Sequence, residues 1–230
     1  MCKEAGIDKD NRRKFTLNEK FFSEIDSPIK AYWLGFLAAD GSISEDRGRI
    51  DLQLQLQDKK HIQKFLDAIG SSKDIKERKT NNNQFDCIYV HLNSTKMVED
   101  LVKLGIHQNK SLDLLFPNDT QVPYDLKIYW ILGYYDGDGS ISSWKDNNLV
   151  RFKTSFTGTE EVLTGINNFF NYNNTLRQEH NCLDNTKNLT YTEGKSKEWL
   201  SKAYNDKSIQ FCLERKYNKY IEILNARGEK

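Results

Sequence analysis

The chain has 230 residues and a mass of 26.9 kDa, enough for one large domain or two small ones, each with its own core. Hydrophobic residues make up 37%, or about 43% with glycine counted, a little below the roughly 45–50% of ordinary globular chains. Thirty-four Lys and Arg against 33 Asp and Glu leave a net charge of +1, which taken alone argues against a polyanion as partner.

Residues 1–27, including Arg12-Arg13-Lys14, show no apolar core of a signal peptide and read as an N-terminal extension, a remnant or an arm lying on phosphate. Ser27-Pro28 supplies the N-cap and first position of a helix that runs to about Ala39. That helix carries Ala31, Trp33, Leu34, Phe36, Leu37 and Ala38 and has no polar face, so burial on most sides is expected. From 50 to 57, Ile50, Leu52, Leu54 and Leu56 alternate with Asp51, Gln53, Gln55 and Gln57, the period of a half-buried strand. An amphipathic helix over 59–70 stops at Gly70. Strands are expected at 74–79 and 86–92 around Asn81-Asn82-Asn83, then a helix over 95–105 that stops at Gly105.

After a linker at 108–125 the pattern starts again. YWLGFLAADGSIS (32–44) recurs as YWILGYYDGDGSIS (129–142), with Asp40 and Asp138 offset by 98. RIDLQLQLQD (49–58) matches LVRFKTSFTG (149–158) at 100, and Asn109-Lys110-Ser111-Leu112 matches Asp206-Lys207-Ser208-Ile209 at 97. Helices are expected at 160–172, 196–204 and 208–226. The organisation is a first repeat at 28–107 and a second at 126–230, each read as helix, two strands, helix, two strands, helix. The fold class is α+β: two tandem αββαββα units about a pseudo-two-fold axis.

Small residues four apart, Gly35 and Ala39 in one copy and Gly133 and Gly137 in the other, suit close packing of the two motif helices. Asp40 and Asp138 then end side by side, where two helix C-termini already concentrate negative charge. A divalent cation resolves that conflict, and hard oxygen donors suit Mg²⁺, with Mn²⁺ as substitute. The expected ligands are Asp40, Asp138 and the backbone carbonyls of Ala39 and Gly137. Asp136-Gly137-Asp138-Gly139-Ser140-Ile141 is no EF-hand loop, because Tyr134 and Lys145 stand where carboxylates are required. Cys2, Cys87, Cys182 and Cys212 and the four histidines are scattered, so neither a zinc site nor a disulfide framework is indicated. With no apolar run near 18–20 residues, an intracellular setting (bacterial or phage cytoplasm, or an organelle) is expected.

WLGFLAADGS (33–42) and ILGYYDGDGS (131–140) resemble the paired signature motifs of LAGLIDADG homing endonucleases in their single-chain, two-repeat form. The resemblance covers about residues 30–225. It implies a saddle of antiparallel sheets on duplex DNA, metal binding by Asp40 and Asp138, and double-strand cleavage by a monomer at a long, imperfectly palindromic target. It further implies short 3′ overhangs, a water-organising role for Asp58, whose counterpart is Gly158, and catalytic lysines at Lys110 and Lys207. Ala38 departs from the family word, where an aspartate stands that is not the metal ligand.

On the strands, the outward residues suited to base edges are Arg49, Asp51, Gln53, Gln55, Gln57, Lys76, Arg78, Tyr89 and His91 in the first unit. In the second they are Arg151, Lys153, Ser155, Thr157, Arg177, Glu179, Asn188, Thr190 and Thr192, with Ser42, Ser44, Ser140, Ser142 and Trp144 extending the surface. Such a face of amides, hydroxyls and a few cations can hold DNA despite the near-zero total charge, with weaker non-specific attachment than a strongly basic protein. The rival readings are an RNA maturase acting on its own intron RNA and a non-cutting DNA-binding regulator on the same scaffold.

Overall fold

The computed structural model describes residues 14–78, 87–110, 113–147, 149–178 and 186–229. The first repeat comprises α1 (Pro28–Asp40), β1 (Gly41–Ser44), β2 (Arg49–Gln55), α2 (Lys59–Ala68), β3 (Lys76–Arg78), β4 (Cys87–Asn93) and α3 (Thr95–Lys103). The second comprises α4 (Lys127–Asp138), β5 (Gly139–Asp146), β6 (Leu149–Gly158), α5 (Glu160–Phe169), β7 (Arg177–Gln178), β8 (Lys187–Thr192) and α6 (Glu193–Ala203), closed by α7 (Glu214–Ala226). Each repeat folds its strands into a four-stranded antiparallel sheet, in the order β1-β2-β4-β3 and β5-β6-β8-β7. This is the expected α+β architecture. No described helix is long and apolar enough to cross a membrane.

The strands form because their apolar residues recur at every second position and so share one face. Ile50, Leu52, Ile88, Val90 and Leu92 are buried on the inner face of one sheet, as are Phe152, Phe156, Leu189 and Tyr191 on the other. α2 and α3 cover the first sheet with Ile62, Phe65, Leu66, Met97, Val98 and Leu101, and α5 and α6 cover the second with Val162, Leu163, Ile166, Trp199 and Leu200.

α1 and α4 make the most extensive contact between any two helices, and glycine is what permits it. A Cβ on Gly35 would lie 2.0 Å from the Trp130 carbonyl oxygen, and one on Gly133 would lie 2.0 Å from that of Tyr32. Both helices are buried all round, so their contact joins the two halves in one hydrophobic core. One polar link crosses the same interface. The buried Tyr32 hydroxyl donates to Asp136 Oδ2 at 2.7 Å and lies 3.0 Å from His61 Nε2, while the Leu213 amide donates to the same Asp136 oxygen at 2.8 Å. Burial pushes Asp136 up to about 6, against the pull of Lys216, and burial pushes His61 down to about 3, which keeps it neutral.

Three local expectations are corrected. The alternation of 50–57 runs past its strand: β2 ends at Gln55, and a 3₁₀ turn over Leu56–Asp58 rolls Leu56 into solvent and takes Gln57 off the strand. The final helix starts at Glu214 rather than 208, because the Ser208 hydroxyl donates to the Ala203 carbonyl and holds a turn there. The described part of the extension, 14–27, is no free arm. Phe21, Phe22 and Ile25 are buried in the core, and the Asn18 amide bonds the Ile69 carbonyl. Arg12, Arg13, Glu179 and the 81–83 turn lie outside the described residues.

Candidate functional site

Asp40 and Asp138 are the last residues of α1 and α4, and each chain turns at once into the first strand of its sheet. Both are open to solvent but flanked by protein. The backbone of α4 lies hard against Asp40, since a Cβ on Gly137 would come 2.4 Å from Ala39 Cβ and 3.3 Å from Asp40 Cγ. Burial raises the Asp40 carboxyl, with the Lys216, Lys110 and Arg215 charges opposing. Asp138 is pushed up to about 6, by burial first and then by the Asp40 charge. Two carboxylates both raised by burial, with the Asp40 charge raising Asp138 further, form a hard, anionic oxygen pair.

Two buried lysines serve the helix ends. Lys110 Nζ donates to the Gly41 carbonyl, one residue beyond Asp40. Lys216 Nζ donates to the carbonyls of Tyr135, Asp136 and Gly139 at 2.5, 2.9 and 2.6 Å. The two lysines thus stand in matching positions, each holding the glycine after its aspartate. Burial lowers both, Lys216 to about 8, while Asp40 and Asp138 pull the other way. The expected partner of Lys110 is Lys207, but Lys207 is exposed in the turn after α6, and among the described residues only its backbone amide is engaged, with Asn205 Oδ1. Lys216 was missed because it sits 106 residues after Lys110, beyond the 97–100 offsets of the other matches. The signal available was a lysine in the first turn of a helix, next to an arginine.

Asp58 closes the 3₁₀ turn after β2 and is buried, with both carboxylate oxygens accepting from Arg215 Nε at 3.1 Å. Arg215, on α7 of the second repeat, was not foreseen either. At the matching place in the second repeat, Gly158 leaves room for the Tyr134 hydroxyl, which donates to the Thr157 carbonyl at 2.9 Å.

A divalent cation fits the donor set. The two carboxylates supply hard oxygens and a charge conflict that a cation relieves, and Lys216 engages the carbonyls of Tyr135, Asp136 and Gly139 rather than that of Gly137. Among the described residues no cluster of three or more His, Cys, Asp or Glu could hold a metal, so such a site needs backbone oxygens such as those of Ala39 and Gly137.

The strand register lines the outward residues into rows across each sheet. Ser42, Asp51 and His91 stand abreast, as do Lys76, Tyr89 and Gln53, and Arg78 shares a row with Gln55 through Cys87. In the second sheet Ser140, Ser155 and Thr190 form one row, Ser142, Lys153 and Thr192 the next, and Thr157, Asn188 and Arg177 a third, with Trp144 opposite Arg151. Ser42, Gln53, Gln55, Lys76, Arg78, Ser140, Ser142, Trp144, Lys153, Arg177 and Thr192 are exposed, and the others are half-buried. Some partner one another. Asp51 takes both Arg49 (Nε at 2.9 Å) and His91, Arg151 pairs with Glu193 at 3.0 Å, and Ser140 with Ser155 at 2.7 Å. Arg49 opposite Ser44 is therefore partly neutralised, and Lys76, Lys153 and Arg177 are the more open cations of the two faces.

No protein-family model matches the chain. A curated relative, the uncharacterized protein MJ0314 of Methanocaldococcus jannaschii, is 28% identical over 160 residues, which cover 68% of this chain and 55% of that protein. The chain thus spans about half the length of that relative. Among solved structures, the LAGLIDADG meganuclease I-AabMI bound to uncleaved DNA matches with a TM-score of 0.53 at 9% identity, covering 89% of this chain and 99% of that one. The LAGLIDADG homing endonuclease I-GzeII with its DNA target matches at 0.50 and 12%, over 87% and 97%. I-SmaMI bound to uncleaved DNA in the presence of calcium ions matches at 0.51 and 13%, over 88% and 98%. With two four-stranded antiparallel sheets and seven helices among its described residues, the chain has a LAGLIDADG endonuclease-like fold.

Proposed function

We propose that this chain is a site-specific, metal-dependent double-strand DNA endonuclease that works as a monomer. One observation carries the reading: two aspartates, one from each repeat, end a pair of helices in backbone contact, both with raised proton affinity and with a buried lysine behind each. A structural helix stop does not need a carboxylate in both copies, nor lysines buried at both.

Asp40 and Asp138 hold the cation, with the carbonyls of Ala39 and Gly137 as further donors. When bound, Mg²⁺ or Mn²⁺ polarises the scissile phosphate and makes a water more nucleophilic. Lys110 and Lys216 fix the helix ends and set positive charge near the developing phosphorane. The open rows of the sheets supply base contacts: Gln53 and Gln55 suit adenine, and Lys76, Arg78, Lys153 and Arg177 suit guanine or phosphate. Similarity to DNA-bound meganucleases supports this use of the sheets.

The test is a cleavage selection against a randomised plasmid library with Mg²⁺, compared with EDTA, followed by the variants Asp40→Asn and Asp138→Asn on the recovered site. Each variant should lose double-strand cleavage and keep target binding. Cleavage retained in both overturns the metal assignment.

A further inference from the structure

The lysines obey the pseudo-two-fold axis, but the spaces beside the two aspartates do not. Next to Asp40 is a recess of about 620 Å³ lined by Gln53, Gln55, Asp58, Gly137 and Arg215 among others. Arg215 reaches it from the other repeat, and its side chain is 45% exposed. Asp58 engages only its Nε, and the terminal guanidinium nitrogens enter no hydrogen bond among the described residues. Next to Asp138 the recess is about 250 Å³, and among the described residues Asp138 is the sole charged side chain in a lining that otherwise includes Tyr134, Thr157, Gly158, Thr159 and Thr186. The residue before Lys216 is Arg215, and the residue before Lys110 is Asn109, so the arginine has no twin.

Resting on the endonuclease reading, we propose that the two strands are cut in a fixed order: Arg215 grips the scissile phosphate in the larger recess beside Asp40, and that strand is cut first. In either recess water adds its OH to phosphorus, the bond from phosphorus to the leaving sugar oxygen breaks, and that oxygen takes the remaining proton. Negative charge on the phosphoryl oxygens grows on the way, and a guanidinium fork stabilises it on one side only. Asp58 is a positioning residue: it holds Nε and leaves the terminal nitrogens to meet a phosphate in the recess that Arg215 lines.

The experiment uses the full chain with a duplex carrying the site recovered from the plasmid library, labelled on one strand or the other. Wild type with Mg²⁺ should nick one strand at least about tenfold faster than the other. Arg215→Gln should slow the fast strand to about the rate of the slow one and change the slow strand less than about twofold. The pair Asp58→Asn/Arg215→Gln, which leaves no unpaired buried carboxylate, should give the same strand-selective loss. In EDTA, Arg215→Gln should reduce the slope of log affinity against log salt by about 1, the mark of one lost phosphate contact. Equal cutting of both strands by wild type, equal slowing of both strands by the two variants, or an unchanged salt slope overturns this inference and leaves the endonuclease reading standing. Failure of wild type to cut any library site overturns both.

Discussion

Alanine at Gly133 tests the closest contact in the molecule. Its Cβ would sit 2.0 Å from the Tyr32 carbonyl oxygen and 2.8 Å from the Phe36 amide nitrogen, where ordinary contact starts near 3.4 Å. The obstacle is backbone and cannot rotate away, so α1 and α4 must part by roughly 1 Å. Overpacking of this kind costs about 1–3 kcal/mol, and a rigid backbone neighbour puts it at the upper end. Alanine's better helix propensity returns about 1 kcal/mol, which leaves a net loss of about 2 kcal/mol. The control is Gly194→Ala in α6, where nothing lies within 4 Å, so only the propensity gain of about 0.5–1 kcal/mol remains. Urea unfolding followed by circular dichroism should therefore move the two midpoints in opposite directions at unchanged slope. The same 1 Å parts Asp40 and Asp138 and, on the proposed endonuclease function, should cost on the order of 10²-fold in cleavage. A Gly133→Ala protein as stable as wild type refutes the close-packing argument.

Other expectations follow from the charges. Because the Asp138 carboxyl is raised to about 6, protons compete with metal as pH falls through that value. The Mg²⁺ midpoint for cleavage should hold steady above about pH 7 and rise by up to roughly tenfold per pH unit below 6. A midpoint independent of pH between 5 and 7.5 contradicts the assignment. Lys207→Met should shift stability by less than about 0.5 kcal/mol and leave cleavage unchanged, as befits an exposed side chain. Lys216→Met should cost on the order of 3–5 kcal/mol, because it strips a charged donor from three carbonyls and leaves Asp136 buried without its nearby cation. Equal effects of the two lysine substitutions, measured by the same urea titration, speak against the placement of Lys216.

What could be read from the sequence was whatever repeats locally. Two copies of Tyr-Trp followed by Asp-Gly-Ser-Ile-Ser announce α1 and α4 and their sheets, and the four-residue spacing of small residues announces how the helices meet. The alternation in 49–55 assigns faces correctly until Leu56, where the 3₁₀ turn that seats Asp58 overrides the period. Long-range pairs were out of reach. Arg215 meets Asp58 across 157 residues, and no local pattern foretells it. The lysine error has a specific cause. Ser208 is buried as a turn-former, so the stretch 206–209 marks the turn after α6, while α7 begins later and brings Lys216 to the helix end.

The bond between Tyr32 and Asp136 also limits how the molecule can be taken apart. Counting from Asp40 and Asp138, the place of Asp136 is held in the first repeat by Ala38, and the place of Tyr32 is held in the second by Trp130. A first repeat paired with its own twin would have the tyrosine and no carboxylate, and a second repeat paired with its twin would bury two carboxylates with no hydroxyl to meet them. Neither half can therefore reproduce this junction as a homodimer. Chimeras that borrow one half from a relative would have to carry Tyr32 and Asp136 as a matched lock and key, or lose both.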